Sequence, residues 1–156
     1  VKVSVFYEAW DHRSKTWCEN KEAMERAIPI FRALIDADPE HRFHKNYGQL
    51  GFALKDKPAP DWAEAERMLT EAIRIRGPWQ DHGWIYYEMN RAICRIEQDA
   101  TFKAGQPSAP EVRARILDDL RAVAASEISK LLHDLEPVPA WMKLNKVKTK
   151  ELEGSS

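Results

Sequence analysis

Lys45-Asn46-Tyr47-Gly48-Gln49-Leu50-Gly51-Phe52-Ala53-Leu54-Lys55, then the turn Asp56-Lys57-Pro58-Ala59-Pro60, then Asp61-Trp62-Ala63-Glu64-Ala65-Glu66-Arg67-Met68-Leu69-Thr70-Glu71-Ala72-Ile73, is the stretch that decides the fold. Ala65, Met68, Leu69, Ala72 and Ile73 recur at three- and four-residue spacing, which puts them on one stripe of a helix. Asp61 followed three residues later by Glu64 is a capping-box start, in which a side-chain oxygen accepts from first-turn N–H groups that lack helical partners. Gly77-Pro78 ends the helix, because glycine tolerates positive φ and proline cannot continue. Tyr47, Leu50, Gly51 and Leu54 mark the face of a preceding helix, and the two prolines of the turn disfavour helix in the residues before them. Two helices joined by a short turn are the unit from which the rest is read.

Working outward, Asn20 caps a helix that holds Ala23, Ala27, Ile30, Phe31 and Leu34 and closes at Asp38-Pro39. Pro29 inside it removes one backbone hydrogen bond and predicts a kink. Downstream, Trp84 to Gln98 carries Ile85, Met89, Ala92, Ile93 and Ile96 on one face. Residues 99–109 read as a loop, and Ser108 with Glu111 as a second capping box. Ile116, Leu120, Val123, Leu131 and Leu135 then mark one long helix or two short ones meeting near Ser126. Trp141 to Leu152 reads as a last, frayed helix after Pro137 and Pro139. At the other end Val1, Val3 and Val5 alternate as in a strand, but no second strand exists to pair with them, so residues 3–13 are taken as helix. The result is an all-α architecture of about six or seven helices.

The spacing also repeats. Tyr47-x2-Leu50-Gly51-x2-Leu54 and Ala65-x3-Leu69-x2-Ala72 match the two helices of the tetratricopeptide repeat, a unit of about 34 residues. Upstream, Ala27-x3-Phe31-x2-Leu34-x4-Pro39 fits the second-helix pattern in register, and downstream Tyr86-x2-Met89-Asn90-x2-Ile93 fits the first. The chain therefore resembles a tetratricopeptide-repeat protein over roughly residues 20 to 98. The resemblance implies antiparallel helix pairs stacked as a short right-handed solenoid over residues 1–136, with residues 137–156 as a C-terminal extension. It also implies protein binding in a groove lined by the first helix of each pair. By register the groove residues are Lys45, Phe52 and Lys55 on one helix and Trp84, Tyr87, Arg91 and Cys94 on the next. That basic and aromatic set suits an acidic or carboxylate-ending segment of a partner protein, since aromatic and arginine side chains anchor interfaces.

Composition sets the remaining bounds. The 156 residues include 24 basic and 25 acidic side chains, a net charge of −1 that offers no overall field for nucleic acid or an anionic membrane. No apolar run approaches the roughly 20 residues of a membrane span. Cys18 and Cys94 alone, without metal spacing, read as reduced thiols of a cytoplasmic protein. His41 and His44 stand at a helix entry with no third ligand near, and Glu22/Glu25, Glu64/Glu66 and Asp118/Asp119 read as solvent-facing acids among lysines and arginines. Gly48-Gln49-Leu50-Gly51 follows no strand and lacks a phosphate-binding lysine, and no serine or cysteine sits in a nucleophile elbow. Lys143, Lys146, Lys148 and Lys150 form a basic stretch beside Trp141. No catalytic residue, metal or cofactor is expected. The missing initial methionine and the closing Leu-Glu-Gly-Ser-Ser read as a domain cut from a longer polypeptide with an appended tail. A protein-interaction module is the expectation; an all-α enzyme fragment and a structural or oligomerising spacer are the alternatives.

Overall fold

The computed structural model describes residues 2–16 and 19–153; Val1, Trp17, Cys18 and the closing Gly154, Ser155 and Ser156 lie outside them. Among the described residues there are eleven helices and no strand. Five of the eleven are short, of four to seven residues, and these account for the excess over the six or seven expected. The chain divides into two compact units, Val1–Gly83 and Trp84–Ser156.

In the first unit, α1 (Lys2–Thr16), α2 (Glu22–Asp36), α3 (His44–Asp56) and α4 (Trp62–Arg76) are followed by one short turn of helix, α5 (Trp79–His82). The N-terminal segment is helical because Phe6, Ala9 and Arg13, at three- and four-residue spacing, all face inward. The alternating Val3 and Val5 are left exposed. On α2 the stripe is Ala23, Met24, Ala27, Phe31 and Leu34, and the helix continues through Pro29. Asn20 Oδ1 accepts from Ala23 N–H at 3.3 Å, one residue ahead of the N-cap position, which Lys21 takes. Ile30, expected on the buried stripe, is 38 % exposed at its margin. Met24 takes its place, packing with Ala23 against Ala53 of α3.

α3 is the hub, with α1, α2 and α4 all packed on it and every residue from Asn46 to Lys55 buried. Its contacts with α4 run in reverse order. Leu54 O accepts from Asp61 N–H, Gly51 meets Ala65 and Leu69, and Tyr47 feels the charges of Glu71 and Arg74. The pair is therefore antiparallel. Between α1 and α3 the order is preserved, with Phe6 against Phe43 at 5.0 Å and Arg13 against Gln49, so these two run parallel. The capping box at α4 is half formed. Asp61 Oδ1 accepts from Glu64 N–H at 3.0 Å, while the Glu64 carboxylate pairs with Arg32 of α2 at 2.6 and 3.0 Å. Gly77 closes α4 at φ 77°, ψ −156°, a region open in practice only to glycine.

In the second unit, α6 (Tyr86–Glu97) packs on α8 (Pro110–Ala124), with α7 (Ala100–Lys103), α9 (Leu131–Asp134), α10 (Val138–Leu144) and α11 (Thr149–Leu152) around them. Ile85, Met89, Ala92, Ile93 and Ile96 are buried as the periodicity requires, as are Ile116, Leu120 and Val123. The helical run divides at Ser126, whose Oγ donates to Val123 O and accepts from Ile128 N–H. Ile128 and Leu132 are the buried residues beyond the break, where Leu131 and Leu135 had been expected; both of those are half-buried. Ser108 does not cap α8, since Ala109 takes that position with Pro110 in the first turn, where proline's missing N–H costs nothing. Ser108 instead joins two segments: its Oγ donates to Asp99 and accepts from Trp141 Nε1, and its N–H donates to Asn145 Oδ1. Trp141 is wholly buried, so residues 137–153 supply core to this unit. The last helix does not run unbroken from Trp141 to Leu152 but stops at Leu144 and restarts at Thr149.

A Cβ on Gly51 would stand 2.7 Å from Leu69 Cγ and 3.3 Å from Ala65 O. Gly51→Ala should therefore destabilise the chain by about 1–3 kcal/mol in denaturant unfolding, despite alanine's better helix propensity. In a Leu69→Ala background the same change should cost much less. Equal costs in both backgrounds would show that the close approach is not the constraint.

Candidate functional site

The groove residues foreseen from sequence fall into two groups, one in each unit, with different fates. In the first unit, Phe52 and Lys55 are drawn together with two residues the sequence reading passed over, Arg13 and Gln49. Arg13, on the inner face of α1, lies with its guanidinium 4.9 Å from the centroid of the Phe52 ring, within cation–π range. Its Nε donates to Gln49 Oε1. Burial pulls its pKa down to about 10, partly offset by the charge of Asp56. Asp56 is also engaged by Lys55, whose Nζ stands 2.5 Å from Oδ1. Two buried cations thus lie near a single carboxylate, Lys55 paired with it and Arg13 feeling its charge.

The same cluster holds orphan polar atoms. Gln49 Nε2 and Asn46 Oδ1, one turn apart on α3, are buried without a hydrogen-bond partner among the described residues. A buried donor left unpaired costs about 1–3 kcal/mol, so such atoms in a folded chain call for an explanation. Arg13 retains 9 % of its surface and Gln49 none. Lys45, the third residue foreseen on this helix, is half-buried. His41, expected in a solvated turn, takes φ 50° and bonds through Nδ1 to the Tyr47 hydroxyl, closing the entry to α3.

In the second unit Trp84, Tyr87 and Arg91 serve the core. Tyr87 is wholly buried and Trp84, half-buried at φ 63°, stacks on its ring at 6.0 Å. Tyr86, placed in the packing position by the repeat register, is 48 % exposed, so the buried aromatic is one residue later than the pattern puts it. The cause lies at the start of α6, which begins only at Tyr86 after the left-handed turn at Trp84. Cys94 is wholly buried as well.

Arg91 and Arg95 on α6 converge on Asp119 of α8. Arg91 Nη2 and Nε reach the carboxylate at 2.7 and 3.0 Å, and Arg95 Nη1 at 2.9 Å. Asp119 was expected on a solvent face beside Asp118, but its side chain is 2 % exposed. Burial pushes its carboxyl upward, while the Arg91 hydrogen bonds and the charges of both arginines hold it down. Here too two cations meet one carboxylate, and direct guanidinium hydrogen bonds from both arginines hold the three groups together. Arg13 stands four residues after Ala9 and Asp119 three after Ile116, on the inward stripes of their helices, but spacing alone does not say that a charged side chain there will be buried.

Comparisons with protein-family models, with curated proteins and with solved structures find no match to this chain. Among the described residues, no three His, Cys, Asp or Glu side chains are grouped to hold a metal ion, and no helix is long and apolar enough to cross a membrane.

Removing the shared carboxylate should leave two buried guanidinium groups opposed to each other. Asp119→Ala is expected to destabilise the chain by about 3–5 kcal/mol in equilibrium unfolding, since breaking a buried pair strands its partner. A loss under about 0.5 kcal/mol would mean that the arginines find other acceptors.

Proposed function

We propose that this chain is a protein-interaction module whose first unit receives a carboxylate-ending segment of a partner protein at Arg13, Gln49, Phe52 and Lys55. The observation that carries the reading is the buried Gln49 amide donor, without a partner among the described residues and beside the Arg13 guanidinium. A carboxylate placed there would accept from Gln49 Nε2 and from the guanidinium. Charge-assisted bonds of this kind are about twice as strong as neutral ones.

The arrangement of the four long helices supports a repeat-like reading of this unit. α1 and α3 run parallel, α3 and α4 antiparallel, and the paired positions Phe6/Phe43 and Arg13/Gln49 are offset by about one repeat length. We place the module in the tetratricopeptide-repeat class on that ground and on the Leu50-Gly51 pair. We assign it to the cytoplasm on its sparse cysteines. A second reading, self-association, is favoured by one feature: Val3, Val5 and Tyr7 leave α1 with an exposed apolar side, 66 % in the case of Val3. Light scattering of the purified chain at two concentrations separates the two.

The test of the first reading is fluorescence anisotropy with acidic peptides that end in a free carboxylate, each paired with its amidated form. Arg13→Gln should weaken the free-acid complex by about tenfold or more, the equivalent of one charge-assisted bond, and should not change the amidated one. Equal binding of both peptide forms, or an unaffected Arg13→Gln variant, would remove the site from consideration.

A further inference from the structure

The break in the last helical segment of the second unit creates a feature of its own. α10 stops at Leu144, Lys146 turns the chain at φ 51°, and Val147 N–H returns to Met142 O at 3.0 Å. Between the turn and α11 lies an open cleft of about 550 Å3. Met142, Val147 and Leu152, all half-buried, contribute its apolar floor, and Lys143, Lys146 and Lys148 stand at its rim. The lining contains no carboxylate.

The charge here is concentrated well beyond the chain average. Residues 141–150 carry four lysines and no acid, in a protein whose net charge is −1. All four lysines are exposed. The nearest acid in sequence, Glu151, is turned away to other work: it accepts from Lys148 N–H at 2.7 Å and pairs with Arg113 at 2.9 Å. Lys143 and Lys146 keep their charge available, Lys148 sharing its own with Glu151, while the aliphatic floor stays partly wet.

We propose that this cleft docks an acidic segment of a partner protein, one that carries an apolar side chain among its carboxylates. The apolar side chain would displace water from Met142, Val147 and Leu152, and the flanking carboxylates would meet the lysines around the rim. Long-range attraction between opposite charges speeds such encounters and weakens with salt. A flat lipid surface fits less well, because it would meet the rim and leave the recessed floor uncovered. Nucleic acid fits less well too, since the floor offers aliphatic and thioether surface in place of the aromatic rings on which bases stack. The Arg13 site lies in the other unit and is independent of this one, so the chain would have two separate acidic-segment sites.

The experiment uses the whole chain and a labelled peptide of alternating Asp and Glu with one central Leu, amidated at its C-terminus, followed by anisotropy. The double variant K143E/K146E should bind it at least about tenfold more weakly, as should Val147→Glu, and both should keep the wild-type circular dichroism and unfolding midpoint. Replacing the peptide's Leu by Ser should weaken binding to a similar degree, and Arg13→Gln should leave it unchanged. Four results would overturn the assignment: binding indifferent to the lysine reversal, equal binding of the Ser peptide, loss of binding in Arg13→Gln alone, or sedimentation with phosphatidylserine vesicles without capture of the peptide. Failure of the Arg13 reading would show separately, in the free-acid peptides, and leaves this result standing.

Discussion

The structure of the first unit depends on one close approach. At Gly51 the backbone of α3 comes near enough to α4 that the side chain of Leu69 and the carbonyl of Ala65 occupy the place of a Cβ. Everything around that point follows from it. Ala65, Leu69 and Ala72 are small or flat enough to let the axes meet, and each is wholly buried. With α4 fixed on one side, α3 has its other faces for α2 and α1, and ten successive residues leave the solvent. A helix so enclosed must either be apolar all round or answer every polar group it carries.

α3 is not apolar all round, and that is where the functional reading begins. Asn46, Gln49 and Lys55 are taken into the interior with it, and Arg13 follows from α1. The contrast with the second unit is instructive. There, two arginines and one aspartate meet with distances near 2.7–3.0 Å, and the network ties α6 to α8. Such a network stiffens a core and leaves nothing for a ligand. In the first unit, with the same two cations to one carboxylate, burial leaves the Gln49 amide donor and the Asn46 acceptor without a partner among the described residues. Burial with the polar groups answered describes a structural joint, and the unanswered amide is what the proposed receptor role rests on.

Much of this was legible in the residues. The helices around Gly51, the periodic faces of α4, α6 and α8, the Asp61 cap and the helical N-terminus all follow from spacing and from the absence of a partner strand. What spacing could not fix was register at helix starts. The turn at Trp84 delays α6 and moves the buried ring from Tyr86 to Tyr87, and Pro110 takes the first turn of α8 and releases Ser108 to bond Asp99 and Trp141. Periodicity also says which side of a helix is inward but not which polar residues will be carried in with it. Arg13, Gln49 and Asp119 were hidden for that reason, and Tyr87 and Arg91, read as groove residues, have side chains that are buried or paired. The kink or break points at Ser126 and Asn145 depend on single side-chain and turn hydrogen bonds that no hydrophobic pattern encodes.

The Arg13–Gln49 cluster is the point on which the functional account turns, and it can be watched directly. A two-dimensional NMR titration of the whole chain with an acidic peptide bearing a free C-terminal carboxylate reports on the Gln49 side-chain amide and the Arg13 Nε–H at once. Downfield movement of both, saturating together and before any change near Asp119, is the expected result. Saturable peptide binding that leaves those two signals where they were would contradict it.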